Sequence, residues 1–228
     1  VTTKKAAVTA KAFRVLPVTP SRWNDLVRLF GERGACGGCW CMTPRLSNSE
    51  YERQKGDGNR RALRRLVNSG RPPGLLAYLG SEPVAWISIE PREAFARLAR
   101  SRVAAPVDDR PVWSIVCIFV AKSHRRRGVS VRLIREAVSY ARSRGATCVE
   151  AYPVNPKKPD MADVFAWHGL ASAYLEAGFR EVARRSETRS VMRRNLRPGR
   201  KGGNAGAAAR AGGRPTGSTR TARPRRGR

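Results

Sequence analysis

The stretch from Val112 to Gly145 constrains the fold more than any other part of the chain. Val112 to Val120 is apolar except for Ser114, the composition of a strand covered on both faces. A basic turn follows, Ala121-Lys122-Ser123-His124-Arg125-Arg126-Arg127-Gly128, and opens without a spacer into a run where Val131, Ile134, Val138 and Ala141 recur at intervals of three and four. That spacing predicts an amphipathic helix, with Gly145 where a C-terminal cap belongs. Cys148 to Tyr152 reads as the next strand. Together the three elements form a strand-helix-strand unit whose first turn lies at the carboxyl edge of a sheet, where ligands bind. The first backbone N–H groups of such a helix have no partner inside it and carry positive partial charge, which suits a phosphate-bearing ligand.

The remaining elements are shorter. Phe13 to Leu16 fits a strand. Trp23, Leu26, Val27 and Phe30 predict a helix from Pro20 to about Arg33, with Thr19 as N-cap and Gly31 or Gly34 as its stop. Ser47 or Ser49 caps a second helix that breaks near Gly56-Asp57-Gly58 and resumes from Asn59 to Asn68. Leu63, Leu66 and Val67 there face inward and the intervening arginines form a solvated face. Leu75–Leu79 and Val84–Ile89 read as a hairpin around a four-residue turn, Gly80 to Pro83. Arg92 to Arg100 suits a short surface helix, Val164 to Ala177 a longer one, and Phe179–Arg184 with Glu187–Met192 a terminal antiparallel pair.

Charge sets the chain apart from an ordinary enzyme surface. Its 228 residues carry 46 Lys+Arg against 17 Asp+Glu, a net charge of +29. The segment from Arg197 to Arg228 holds 10 basic residues and no acidic one, leaving +19 on residues 1–196 (29 − 10). With 8 Gly and 3 Pro and no apolar periodicity, this tail reads as disordered. The expected organisation is a flexible N-terminus over 1–11, one domain over 12–196 and a basic tail over 197–228. Such a field attracts nucleotides, nucleic acids and acidic surfaces alike, so it permits non-specific nucleic-acid contact through the tail without identifying it as the function. No apolar run is long enough to span a bilayer and no secretory signal precedes the domain, which makes a cytoplasmic location the default and gives no reason to expect a membrane partner.

The loop Gly34-Ala35-Cys36-Gly37-Gly38-Cys39-Trp40-Cys41-Met42 is the most unusual local sequence. Cys36, Cys39 and Cys41 supply three thiols at metal-ligand spacing and lack an evident fourth ligand, so zinc binding is an alternative and not the leading reading. Two others stand beside it: a glycine-permitted turn whose small thiols pack inside, and a lip for a second substrate to which Trp40 and Met42 contribute apolar contact. The chain's five Cys are odd in number and argue against a secreted disulfide framework.

Two motifs in the expected order give the chain a family likeness. Arg125-Arg126-Arg127-Gly128-Val129-Ser130 matches an acyl-CoA signature of Arg or Gln, two residues, Gly, one residue, and a small residue. Tyr174-Leu175-Glu176-Ala177-Gly178-Phe179 matches a Tyr-x-x-x-Gly-Phe ending of a later helix. In this the sequence resembles the GNAT superfamily of acetyl-CoA-dependent N-acetyltransferases over roughly residues 12–195. It departs where Trp167 stands at a common Asn position, and in an added segment from Asn155 to about Asp163. The resemblance implies an α/β fold: a mixed, mostly antiparallel central sheet flanked by helices, with the parallel strand-helix-strand unit at the cofactor site.

It also implies chemistry. Acetyl-CoA would be the co-substrate, its pyrophosphate on the turn from Arg125 to Val131, with Phe119 and Val120 from the strand alongside. An amine, either a small molecule or a peptide group, would attack the thioester directly while a backbone N–H near Val120 steadies the oxyanion. Tyr174 would protonate the departing thiolate, and its ordinary alternative is core packing. Many members carry a Glu on the strand before the signature, and Trp113 to Val120 has none. Glu90, acting through water, is the leading base candidate, followed by Glu150 and His168. The acceptor stays open, as does the choice between monomer and homodimer.

Overall fold

The computed structural model describes residues 13–156 and 166–196. The expectations for 1–11, for the added segment beyond Pro156 and for the tail 197–228 fall on or largely on residues outside that set. Seven strands form one sheet: β1 (Phe13–Pro17), β2 (Leu75–Leu79), β3 (Glu82–Pro91), β4 (Trp113–Val120), β5 (Cys148–Ala151), β6 (Arg180–Ser186) and β7 (Arg189–Asn195). Their order is β1-β2-β3-β4-β5-β7-β6, and β4–β5 is the parallel pair among antiparallel neighbours. This is the mixed, mostly antiparallel sheet that the resemblance implies.

Helices cover both faces. α1 (Trp23–Phe30), α2 (Asn48–Gln54) and α3 (Asp57–Asn68) precede β2, α4 (Val129–Ser143) joins β4 to β5, and α5 (Ala171–Glu176) leads to β6. On one face, Val131, Ile134, Val138 and Ala141 of α4 are buried in a cluster with Ile87, Ile89, Ile115, Tyr174 and Phe179. On the other, Leu26 and Phe30 of α1 and Leu63 and Val67 of α3 pack with Trp86. Arg60 and Arg64 are exposed on α3 as their spacing predicts, and their guanidiniums also lie over the Trp40 and Trp23 rings. No helix among the described residues is long and apolar enough to cross a membrane.

Boundaries shift where local chemistry overrides periodicity. The first helix begins with a 3-10 turn at Pro20–Arg22 and ends at Gly31, whose φ of 64° closes it before Arg33. Thr19 makes no side-chain cap. Ser47 is the cap of α2, in a reciprocal capping box with Glu50. The hairpin turn is tighter than four residues, because Leu79 pairs with Glu82 and a bulge at Val84 lets Pro83 sit inside the strand. Arg92–Arg100 is two 3-10 turns, not a surface helix, since Phe95 and Leu98 are buried beneath it. α5 is shorter than the predicted 164–177, and its start at Ala171 is fixed by an exchange with Val154.

Gly74 is fixed by close approach. A Cβ on Gly74 would meet the Ile87 carbonyl at 2.2 Å and the Trp86 ring at 2.7 Å, while the Gly74 carbonyl accepts from the Val18 N–H. Gly74→Ala should therefore lower stability by about 1–3 kcal/mol through forced displacement of the β3 backbone. The check is a lower denaturant midpoint at unchanged slope.

Candidate active site

The site begins where β4 and β5 part. They pair in register from Trp113↔Val149 to Ile115↔Ala151 and no further. At Val116, β4 carries a bulge against β3, so that Ile89 pairs with Ile115 and Ser88 with Cys117. Beyond it, β4 stays paired with β3 and leaves β5, and the gap widens into a cleft of about 540 Å³. Ile118, Phe119 and Val120 form one wall, Leu170 and Ala173 another, and Ala35 and Cys36 reach in from the loop after α1.

The basic turn closes the cleft at the start of α4. Arg126 has φ 59° and Gly128 φ 75°, both left-handed, a local geometry that turns successive N–H groups toward one side. Gly128 is the N-cap and no side chain caps the helix, so the first N–H groups of α4 have no helical acceptor. Arg125 donates from Nε to the Val120 carbonyl at 3.0 Å, which ties the turn to the end of β4. Of the residues singled out from sequence, Phe119, Val120, Arg125, Arg126, Gly128, Val129 and Ser130 line the cleft. Arg127 is exposed beside it, and Val131 is buried in the core under α4.

Trp167 and His124, which the sequence did not mark for this wall, also line it, as does Cys36 of the loop read as a lip for a second substrate. The signal for Trp167 was its departure from the common Asn. Its carbonyl now accepts from the Ile118 N–H at 2.7 Å inside the gap, and its ring stacks on His168 at 3.6 Å between centroids. Trp40 and Met42, read as a substrate lip, are instead core residues at 2% and 3% exposure, with Trp40 packed on Trp23 and Phe30. Within the same loop, Cys36 is exposed, Cys39 half-buried and Cys41 buried. Among the described residues no group of three or more His, Cys, Asp or Glu is arranged to hold a metal ion.

Tyr174 lies behind the cleft wall, fully buried. Its hydroxyl donates to the His168 carbonyl at 3.0 Å, its ring meets Phe179 edge-on at 5.2 Å, and burial raises its pKa. Gly169 permits this packing, since a Cβ there would stand 3.0 Å from the Tyr174 ring.

The carboxylates are collected elsewhere. Glu90, Ser114, Glu150 and Arg193 stand in register across β3, β4, β5 and β7. Glu90 pairs with Arg45 at 2.5 Å and with Arg71 at 3.7 Å. It lines a second cavity of about 480 Å³ with Leu66, Ser69 and Glu93. Glu150 is fully buried and accepts from Arg193 at 2.6 Å, Arg92 at 3.0 Å and the Tyr152 hydroxyl at 2.6 Å. Arg193 also pairs with Asp108 at 2.7 Å and holds that carboxyl below its ordinary range. Glu90, Asp108 and Glu150 are thus each engaged by arginine and form no free acidic pocket.

His168 is the third base candidate. Burial, reinforced by the Arg189 charge, lowers its pKa from 6.5 to about 3, and its buried Nδ1 has no hydrogen-bond partner. In the unfolded chain the imidazole takes up a proton below about 6.5, while in the folded chain it stays neutral until about 3. Between these values the unfolded state binds more protons, so stability falls as pH is lowered through this window. His168→Gln should flatten that decline. The measurement is the urea midpoint at pH 7 and pH 4.5 for both proteins, and an equal decline in the two would rule out the assignment.

The sequence model of the acetyltransferase (GNAT) family matches residues 40–166, more than half of the chain. A comparison with curated protein sequences finds no match. Among solved structures, an agmatine N-acetyltransferase in its apo form is similar at TM-score 0.50 and 12% identity, over 81% of this chain and 100% of that one. PaiA N-acetyltransferase from Thermoplasma acidophilum, in complex with coenzyme A, aligns at TM-score 0.47 and 11% identity, over 81% and 99%. A GNAT acetyltransferase from Streptococcus pneumoniae aligns at 0.46 and 15%, over the same shares. With the signature turn, the parted strands and the family match in agreement, the chain belongs to the acetyltransferase (GNAT) family.

Proposed function

We propose that this protein is an N-acetyltransferase that moves the acetyl group of acetyl-CoA to an amine by direct attack on the thioester, with residues 12–196 as the catalytic unit. The observation that carries the reading is the continuity of the cleft with an uncapped, left-handed helix start. A pyrophosphate on the N–H groups from Arg126 to Val131 would gain hydrogen bonds and the favourable end of the helix dipole. The arginines of the turn would add charge-assisted contacts.

The remaining length of the cleft suits a slender arm carrying carbonyl groups. The Ile118 N–H, now bonded to the Trp167 carbonyl, is a donor aimed into the gap. A carbonyl of the bound thioester ligand would take that place, and a backbone N–H of this segment of β4 would meet the oxyanion as the amine attacks. Tyr174 would exchange its bond to the His168 carbonyl for the departing thiolate and deliver the proton. Glu90 would reach the acceptor only through water, so an amine already neutral at the working pH would be the best acceptor.

Titration with acetyl-CoA should raise the thermal midpoint saturably, with a stabilisation of about 2.7 kcal/mol at a hundred times Kd. Gly128→Glu, which adds a side chain and a negative charge at a cleft-lining left-handed position, should abolish the rise. The absence of any shift at millimolar acetyl-CoA would remove the reading.

Tyr174→Phe should preserve the thermal shift and reduce thiol release, followed with an amine panel, by about 10²-fold or more. Unchanged turnover in this variant would assign Tyr174 to packing alone.

A further inference from the structure

The second cavity, of about 480 Å³, enters the transfer chemistry only through Glu90. Its size falls within the range of small-molecule sites, about 300–1,000 Å³. It lies between the C-terminal end of α3, the segment leading to β2 and the end of β3, and shares no lining residue with the cleft at the start of α4. Two arginines, Arg45 and Arg71, and two glutamates, Glu90 and Glu93, line it, and Leu66, Pro91 and Ala94 give it an apolar wall.

These four charges are not paired off. The Arg45 side chain is 6% exposed and is fixed by the Pro73 carbonyl at 3.1 Å, Ser88 Oγ at 3.2 Å and the Phe95 ring at 4.6 Å. From there it holds one oxygen of Glu90, Oε2, at 2.5 Å. The other oxygen, Oε1, accepts no hydrogen bond among the described residues, and its ion-pair contact is Arg71 Nη2 at 3.7 Å. A charge-assisted bond between them would close to about 2.7–2.9 Å, so Arg71 and Oε1 attract each other and both keep bonding capacity. The Glu90 side chain is only 10% exposed, and one arginine on one oxygen does not replace the hydration that burial removes. Arg71 is 72% exposed at the rim. Glu93 is exposed as well and has no ion-pair partner among the described residues.

Charge balance decides what such a cavity accepts. A simple anion would meet Glu90 and Glu93, and a simple cation would meet Arg45 and Arg71, each at the cost of like-charge contact. The two arginines and two glutamates cancel, so the cavity favours a ligand that carries both charges and no net charge.

We propose that this cavity binds a small α-amino acid as its zwitterion. The ligand ammonium donates to Glu90 Oε1, the ligand carboxylate accepts from the Arg71 guanidinium, and an aliphatic side chain rests on Leu66, Pro91 and Ala94. Charges then alternate around a ring of Arg71, ligand carboxylate, ligand ammonium and Glu90. The ammonium and carboxylate share one carbon, which keeps them close enough to lie alongside the 3.7 Å gap between Arg71 and Glu90. Arg45 is a positioning residue, since by holding Oε2 it leaves Oε1 to the ligand. The site stands whether or not Glu90 takes a proton during transfer, because nothing in it requires acetyl-CoA.

The test uses the full chain without acetyl-CoA. L-Leucine in the millimolar range should raise the thermal midpoint saturably. Isoamylamine, which lacks the carboxylate, and isocaproate, which lacks the ammonium, should give no shift at the same concentrations. Arg71→Ala truncates an exposed side chain and should leave the ligand-free midpoint unchanged. Its affinity for L-leucine, measured by calorimetric titration, should be about tenfold weaker or more, as expected for the loss of one charge-assisted contact. No saturable response to L-leucine at tens of millimolar would overturn the proposal. So would an equal response to isoamylamine or isocaproate, or an unchanged L-leucine affinity in Arg71→Ala. A shift with acetyl-CoA and none with L-leucine would remove this site and leave the transfer reading intact.

Discussion

The architecture depends on a single departure from regular pairing. β4 and β5 are hydrogen-bonded neighbours as far as Ile115 and Ala151, and from Val116 the bulged β4 keeps only β3. A sheet that opens between two central strands exposes backbone polar groups in its interior, and these must find partners. Ile118 finds the Trp167 carbonyl, and Val154 takes up the role of a short bridge to both Leu170 and Arg189. The elements on either side keep the gap from collapsing. α4 spans one face with a wide apolar stripe, and the loop of Trp40 fills the other with aromatic rings. A cleft results without a separate domain to build it.

The same geometry sorts the charges. A chain with so large an excess of arginine has few carboxylates to spend, and the three around β3–β5 are all engaged by arginine: Glu90 by Arg45 and Arg71, Glu150 by Arg92 and Arg193, and Asp108 by Arg193. Buried pairs of this kind repay their desolvation only when every oxygen is satisfied, and the Tyr152 hydroxyl supplies what the guanidiniums leave open at Glu150. Their value lies in register. Glu90, Ser114, Glu150 and Arg193 lie in one transverse row, so a slip of one residue in β3, β5 or β7 would turn a charge into the apolar face beneath α4.

Much of this was readable from residue patterns. The strand, basic turn and helix from Val112 to Gly145 were legible because apolar periodicity and a glycine cap are local signals, and seven of the residues named there line the cleft. Other positions were not legible, for reasons that are physical in each case. Trp40 and Met42 looked like a lip because a glycine-rich loop is ordinarily exposed, whereas left-handed turns fold this one inward onto Trp23 and Phe30. Glu90 was named as a base candidate for its place at the end of a strand, and its pairing with Arg45, distant in sequence, was not legible there.

By itself, then, the sequence determined most of the elements, their order and the basic turn that opens α4, since those follow from period, capping and backbone permissiveness within a few residues. Tertiary structure alone decided where the sheet would part, which carboxylates would be paired, and that the loop of Trp40 would pack inward on Trp23 and Phe30. Those outcomes depend on contacts between residues dozens of positions apart, and nothing in a local pattern encodes which of several equally apolar faces will meet.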